Sequence, residues 1–170
     1  MNTFEICAKF GVFAKEFKSI NDGIINSTTL VTDQRNKKYV LQEINSYVFP
    51  NVEELMNNIY LITNYIRIRN QLVGGVGTLK LLDTRDESTF VCYEDDENKK
   101  HYFRMYEYIN GARAYNEANE KLLFQAGIGF GNFQKQLQSF PVEKLFEVIP
   151  NFHNITWMFY LFSRAKFSYW

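Results

Sequence analysis

An α+β fold, about five antiparallel strands with a helix packed across them, is what the sequence predicts, on three observations. Two strand-like segments, residues 24–32 and 38–44, flank the polar turn Asp33-Gln-Arg-Asn36 and form a hairpin. A capped helix with one apolar face opens at Asn51. Beyond it, residues 78–82, 89–93 and 101–109 read as three more short strands, separated by polar turns such as Asp95-Asp-Glu-Asn-Lys-Lys100.

Composition supports one packed domain. The chain has 170 residues, 46% hydrophobic and 17% aromatic, enough for a sizeable core. Nineteen basic residues balance nineteen acidic ones, so no net field recruits nucleic acid or anionic lipid. Cys7 and Cys92 lack C-x-x-C spacing and only two histidines exist, which argues against a structural zinc site. The N-terminus lacks a basic region followed by an apolar run, so no secretory signal is expected. The longest apolar run, Ile155-Thr-Trp-Met-Phe-Tyr-Leu-Phe162, falls short of the roughly 20 residues that span a bilayer. A cytoplasmic protein with reduced thiols is therefore expected.

The elements follow in order. Phe4, Ile6, Cys7, Phe10 and Val12 make a loose helical stripe, and the glycine turn Ile20-Asn-Asp-Gly-Ile-Ile-Asn26 leads into the hairpin. At Pro50-Asn-Val-Glu-Glu, Asn51 caps the free amides while Glu54 can reach back. Val52, Leu55, Met56, Ile59, Ile62 and Ile66 then recur at helical spacing to about Arg69, facing the sheet. Gly74-Gly-Val-Gly77 ends this region. A second helix over residues 116–140 carries Leu122, Leu123, Ala126, Phe130, Phe133 and Leu137, with Gly127, Gly129 and Gly131 weakening its middle. After Asn154 an aromatic tail follows neither helical nor strand periodicity.

Several strings in this order carry a resemblance: Gly23-Ile-Ile-Asn26, Tyr39-Val-Leu-Gln-Glu-Ile-Asn45, the run Val48 to Ile59, Tyr102-Phe-Arg-Met-Tyr-Glu-Tyr-Ile-Asn-Gly111 and Ile149-Pro-Asn-Phe-His-Asn154. From about Phe4 to Asn154 the chain resembles the N-terminal half of the aminoglycoside-phosphotransferase-like, kinase-like superfamily, and within it the N-acetylhexosamine 1-kinase ("mucin desulfatase") group. The resemblance implies a two-lobed fold that transfers the γ-phosphoryl of ATP, with Mg2+, to a sugar hydroxyl. Residues 1–111 would be the nucleotide-binding small lobe with its hinge, 112–154 the start of the large lobe with its first helix, and 155–170 an aberrant tail.

The resemblance implies roles for individual residues. Gly23, Ile24, Asn26 and Ser27 match the phosphate-covering turn, where a glycine lets backbone amides approach a triphosphate. An ordinary hairpin turn is the alternative. Gln42 stands where kinases place a phosphate-holding lysine; glutamine can hydrogen-bond a phosphate but brings no charge. Glu54 matches its helix partner, although capping alone explains it. Met105-Tyr-Glu-Tyr-Ile109 matches the hinge, whose backbone around Glu107 holds adenine between Met105 and Ile109; an edge strand would read the same. His153 and Asn154 align with a segment near the sugar pocket.

Activity is another matter. Phosphoryl transfer needs an aspartate to accept the hydroxyl proton and further Asn and Asp ligands for magnesium. Asp22, Asp33, Asp83, Asp86, Asp95 and Asp96 all lie in the expected small lobe and none follows His153. The expectation is a sugar-kinase fragment inactive by itself, with neither catalytic nor metal residues of its own. The alternative is a non-catalytic binding module, self-associating through the apolar 122–137 helix.

Overall fold

The computed structural model describes residues 1–20, 23–75, 77–113, 115 and 117–166. Helix α1 (Thr3–Lys9) leads into strands β1 (Ala14–Ile20), β2 (Ser27–Asp33) and β3 (Lys38–Ile44). Helix α2 (Val52–Val73), strands β4 (Val91–Glu94) and β5 (Lys100–Glu107), then helices α3 (Glu120–Gln136) and α4 (Ile155–Lys166) follow. The five strands form one antiparallel sheet in the order β1-β2-β3-β5-β4.

Local chemistry sets the boundaries. Asn2 and Glu5 close a reciprocal capping box on α1, each bond 3.0 Å. Asp33 Oδ1 accepts the Arg35 and Lys37 amides at 2.8 Å and Asn36 adopts φ 63°, so side chain and left-handed asparagine together turn β2 into β3. Asp95 and Asn98 repeat this device between β4 and β5. Asn51 Oδ1 accepts the Glu54 amide at 3.2 Å, which starts α2 where the cap predicts.

Alternation along the strands gives the sheet two faces. On one, Val31, Tyr39, Leu41, Phe103 and Met105 pack against Ile6, Cys7 and Phe10 of the α1 region. On the other, Ile44 and Tyr102 pack against Val52, Leu55 and Met56 of α2. The second cluster occupies only one end of its face, and the remainder is the open wall on which the candidate site lies.

The fifth strand is not the expected one. Residues 78–82 contribute only the isolated bridge Leu81↔Tyr106, whereas Ala14–Ile20 pairs along β2. As an edge strand with a single neighbour, β1 keeps Lys15, Glu16 and Lys18 in solvent and shows little apolar alternation. The second long helix begins at Glu120, capped by Asn119 onto the Leu122 amide at 2.9 Å; the expected start, Asn116, lies outside the described residues. Most of its apolar residues are exposed, Phe124 at 68% and Phe130 at 69%, and Gln136 is its one buried residue.

The tail is helical, which corrects the aperiodic reading. Residues 155–162 are apolar on every side except Thr156, so no stripe exists to read. Local bonds suffice: Asn154 Oδ1 accepts the Trp157 amide at 3.0 Å, and Arg164 donates to the Tyr160 hydroxyl one turn earlier at 2.9 Å. Residues 167–170 of that tail lie outside the described set. The chain beyond the sheet is tied to α2, with Val148 packed against the Val52, Leu55 and Met56 cluster. Asn58 exchanges two hydrogen bonds with the Phe146 backbone, Tyr65 meets Phe140 edge-on, and Gln136 donates to Asn70.

Candidate functional site

The open wall is built by register. Thr28 pairs with Gln42 and Leu30 with Val40 across β2 and β3, while Gln42 pairs with Arg104 and Val40 with Tyr106 across β3 and β5. All six side chains therefore share the face opposite the α1-side cluster. Leu30 and Val40 are half-buried and form an apolar ledge on this face. A hydrogen-bond row crosses three strands beside that ledge. Gln42 Nε2 donates to Thr28 Oγ1 and Gln42 Oε1 accepts from Arg104 Nε, both at 3.1 Å.

Arg104 is the unusual member. Its guanidinium lies 5.4 Å from the Tyr106 ring centre, and its Nη1 is sealed from solvent without an acceptor. Burial lowers its proton affinity, yet an arginine stays charged under ordinary conditions. Burial likewise pushes the Tyr106 phenol up, which keeps it neutral. Among the described residues no carboxylate pairs with Arg104, and the Glu54 carboxylate does not take the kinase-like partner's place.

The glycine turn stands at the end of this row. Asn26 Oδ1 accepts the Asn45 amide at 3.0 Å and Asn45 Nδ2 donates to the Ile25 carbonyl at 3.3 Å, pinning the turn to the end of β3. A cavity of about 240 Å³ lies beneath it, lined by Ser19, Gly23, Asn26, Ser27 and Thr28 among others. A Cβ on Gly23 would stand 3.0 Å from the Asn26 carbonyl oxygen, a tight contact that makes the close turn disfavour a larger residue there. Ile24 and Ser27, which also line this cavity, are exposed.

Other expected residues lie elsewhere. Met105 is 0% exposed, inside the α1-side cluster, so its side chain faces away from Val40 and Gln42 and cannot sandwich a base on that wall. The reason is parity: Met105 is one residue out of phase with Arg104 and Tyr106. Glu107 shares Met105's face and is held by Lys37 and Lys80 at 2.7 and 2.9 Å. The Lys37 bond first, then Lys80, lowers its pKa. Ile109 follows the strand, 55% exposed, its carbonyl accepting from Ala112. His153 and Asn154 line a separate cavity of about 450 Å³ with Val148, Ile149 and Phe152. Asn154 is spent on capping α4. Another cavity, about 700 Å³, lies between α2 and residues 77–83 and holds none of the expected residues.

Gly23, Asn26, Ser27 and Gln42 are thus brought together, while Met105, Glu107, His153 and Asn154 are not. Thr28, Arg104 and Tyr106 join Gln42 on the open wall without a motif that marks them. The signal was the alternation Tyr102, Arg104, Tyr106 against Phe103 and Met105, which places one charge on an otherwise aromatic face. No group of acidic, histidine or cysteine side chains among the described residues suits a metal ion.

No protein-family model matches the chain. Solved structures do. An aminoglycoside phosphotransferase from Alicyclobacillus acidocaldarius superposes with a TM-score of 0.59 at 13% identity, over 84% of this chain and 37% of that one. An amicoumacin kinase, solved in complex with AMP-PNP, Ca2+ and Ami, superposes with a TM-score of 0.54 at 17% identity, over 84% and 42%. The chain therefore spans about two fifths of the length of these relatives. Its five-stranded antiparallel sheet with packed helices is the small-lobe fold of aminoglycoside-phosphotransferase-like kinases.

Proposed function

We propose that this chain is the nucleotide-binding part of an ATP-dependent phosphotransferase acting on a small hydroxylated acceptor, an N-acetylhexosamine-type sugar by sequence resemblance. The carrying observation is the alignment on one sheet face of the Gly23 turn, the Leu30/Val40 ledge and the Thr28–Gln42–Arg104 row. The ledge would take the adenine and the turn's amides the phosphates, with Glu107 to Ile109 at the base edge through backbone groups. His153 and Asn154 are assigned to the acceptor side.

No group of three or more acidic, histidine or cysteine side chains stands together among the described residues, so no magnesium ligand is assigned to this chain. No step is routed through it. By itself the chain is expected to bind nucleotide weakly and transfer no phosphoryl group, since none of its aspartates follows His153, where the family's general base is expected. If roughly half of the ~8 kcal/mol of a micromolar site survives, the dissociation constant is on the order of millimolar. A binding-module reading draws on the uncovered apolar side chains of α3, which offer a surface for another copy.

The experiment is an ATP titration followed by ligand-observed NMR on the whole chain and on Gly23→Val. Millimolar binding that weakens severalfold in the variant supports the reading. Binding indifferent to Gly23→Val would refute the turn assignment, and sugar-1-phosphate formation by the purified chain would refute its inactivity.

A further inference from the structure

We propose that Arg104, aimed by Gln42, supplies the cation that holds the phosphates of the bound nucleotide, so that the positive charge comes from β5 rather than from β3. This rests on the nucleotide reading above. Gln42 has no charge to offer, and both ends of its amide are already engaged, one on Thr28 and one on Arg104. Its carbonyl oxygen therefore acts on the guanidinium, fixing its Nε and leaving the remaining N–H groups for another acceptor.

The guanidinium needs such an acceptor. Nη1 is sealed off without a partner, and no carboxylate among the described residues neutralises the group. The ring of Tyr106 at 5.4 Å offsets only part of the desolvation of a full charge. A purely packing role would be filled better by an apolar side chain of similar length. Lys37 and Lys80 are committed to Glu107 on the opposite face, and Lys18 and Lys38, which register places on this face, are exposed, so Arg104 is the partly buried cation of this wall.

Position selects the kind of anion. The row from Thr28 through Gln42 leads from the glycine turn to Arg104, next to the apolar Leu30/Val40 ledge. A ligand with a flat apolar base and a polyanionic tail matches that sequence of surfaces, and a guanidinium N–H gives a phosphate oxygen a charge-assisted hydrogen bond.

The test titrates the whole chain with ATP, inorganic triphosphate and adenosine, comparing wild type, Arg104→Met and Arg104→Met/Gln42→Lys. Loss of one charge-assisted contact should weaken ATP and triphosphate about ten- to a hundredfold and leave adenosine unchanged. The lysine in the double variant should restore ATP affinity, a rescue that a structural role would not give. Should Arg104→Met fail to fold, Gln42→Glu serves instead: its carboxylate captures the guanidinium, and ATP affinity should fall. Unchanged ATP affinity in either folded variant overturns the assignment while wild-type binding that depends on Gly23 keeps the nucleotide reading. Equal loss of adenosine and ATP also overturns it. Absence of all binding in wild type overturns both.

Discussion

Met105→Ala separates a core residue from a site residue. Sequence resemblance puts Met105 against adenine, whereas the fold buries it with Leu41, Phe103 and Cys7 on the α1 side of the sheet. Truncating a fully buried methionine leaves a cavity and costs ~3 kcal/mol. For a chain of this size that lowers the melting temperature by roughly 6–12 °C. Val40→Ala is the control: a half-buried side chain on the open wall loses about 1 kcal/mol, with a small shift in melting. Thermal unfolding by circular dichroism and ATP titration at low temperature read the two effects. Met105→Ala should melt early yet bind ATP as wild type does, and Val40→Ala should do the reverse. A Met105→Ala protein that melts normally but loses ATP affinity would refute the assignment of the two faces.

Further outcomes follow from other contacts. Asn51→Ala removes the acceptor for the Glu54 amide and should destabilise by ~1 kcal/mol in chemical denaturation, while Asn51→Asp should not. His101 bridges Glu43 and Asp95, at 2.8 Å each, and its pKa is raised above 6.5 chiefly by the Glu43 bond and then by Asp95. Its contribution is fully present below that unfolded value and lost as pH rises through the raised folded one. Asp95's pKa is lowered, chiefly by His101, so its share is lost only as pH falls below the ordinary carboxylate range. The stability gap between wild type and His101→Gln should therefore be wide at about pH 5.5 and narrow at about pH 8.5; equal gaps would refute the bridge. Phe124→Glu with Phe130→Glu on α3 should reduce self-association in sedimentation without changing the melting temperature, since neither side chain is covered.

Some features are local and so are legible in one dimension. The Asn51 cap and the Val52 to Ile66 stripe announce α2, and Asp33 with Asn36 announces the first hairpin, because each depends on residues within a few positions. Gly23 and Gln42 stand out as candidates from their neighbours in the chain. Edge strand β1 was not, since its identity comes from pairing with β2 rather than from apolar alternation. Helix α4 was hidden by a run apolar on every side. The two faces of β5 were decided by register: pairing Gln42 with Arg104 and Leu41 with Met105 sends the methionine into the core and the arginine to the open wall. Which strand lies beside which is set by contacts far apart in the chain, so the sequence shows that an arginine is present but only the assembled sheet shows that no carboxylate among the described residues pairs with it.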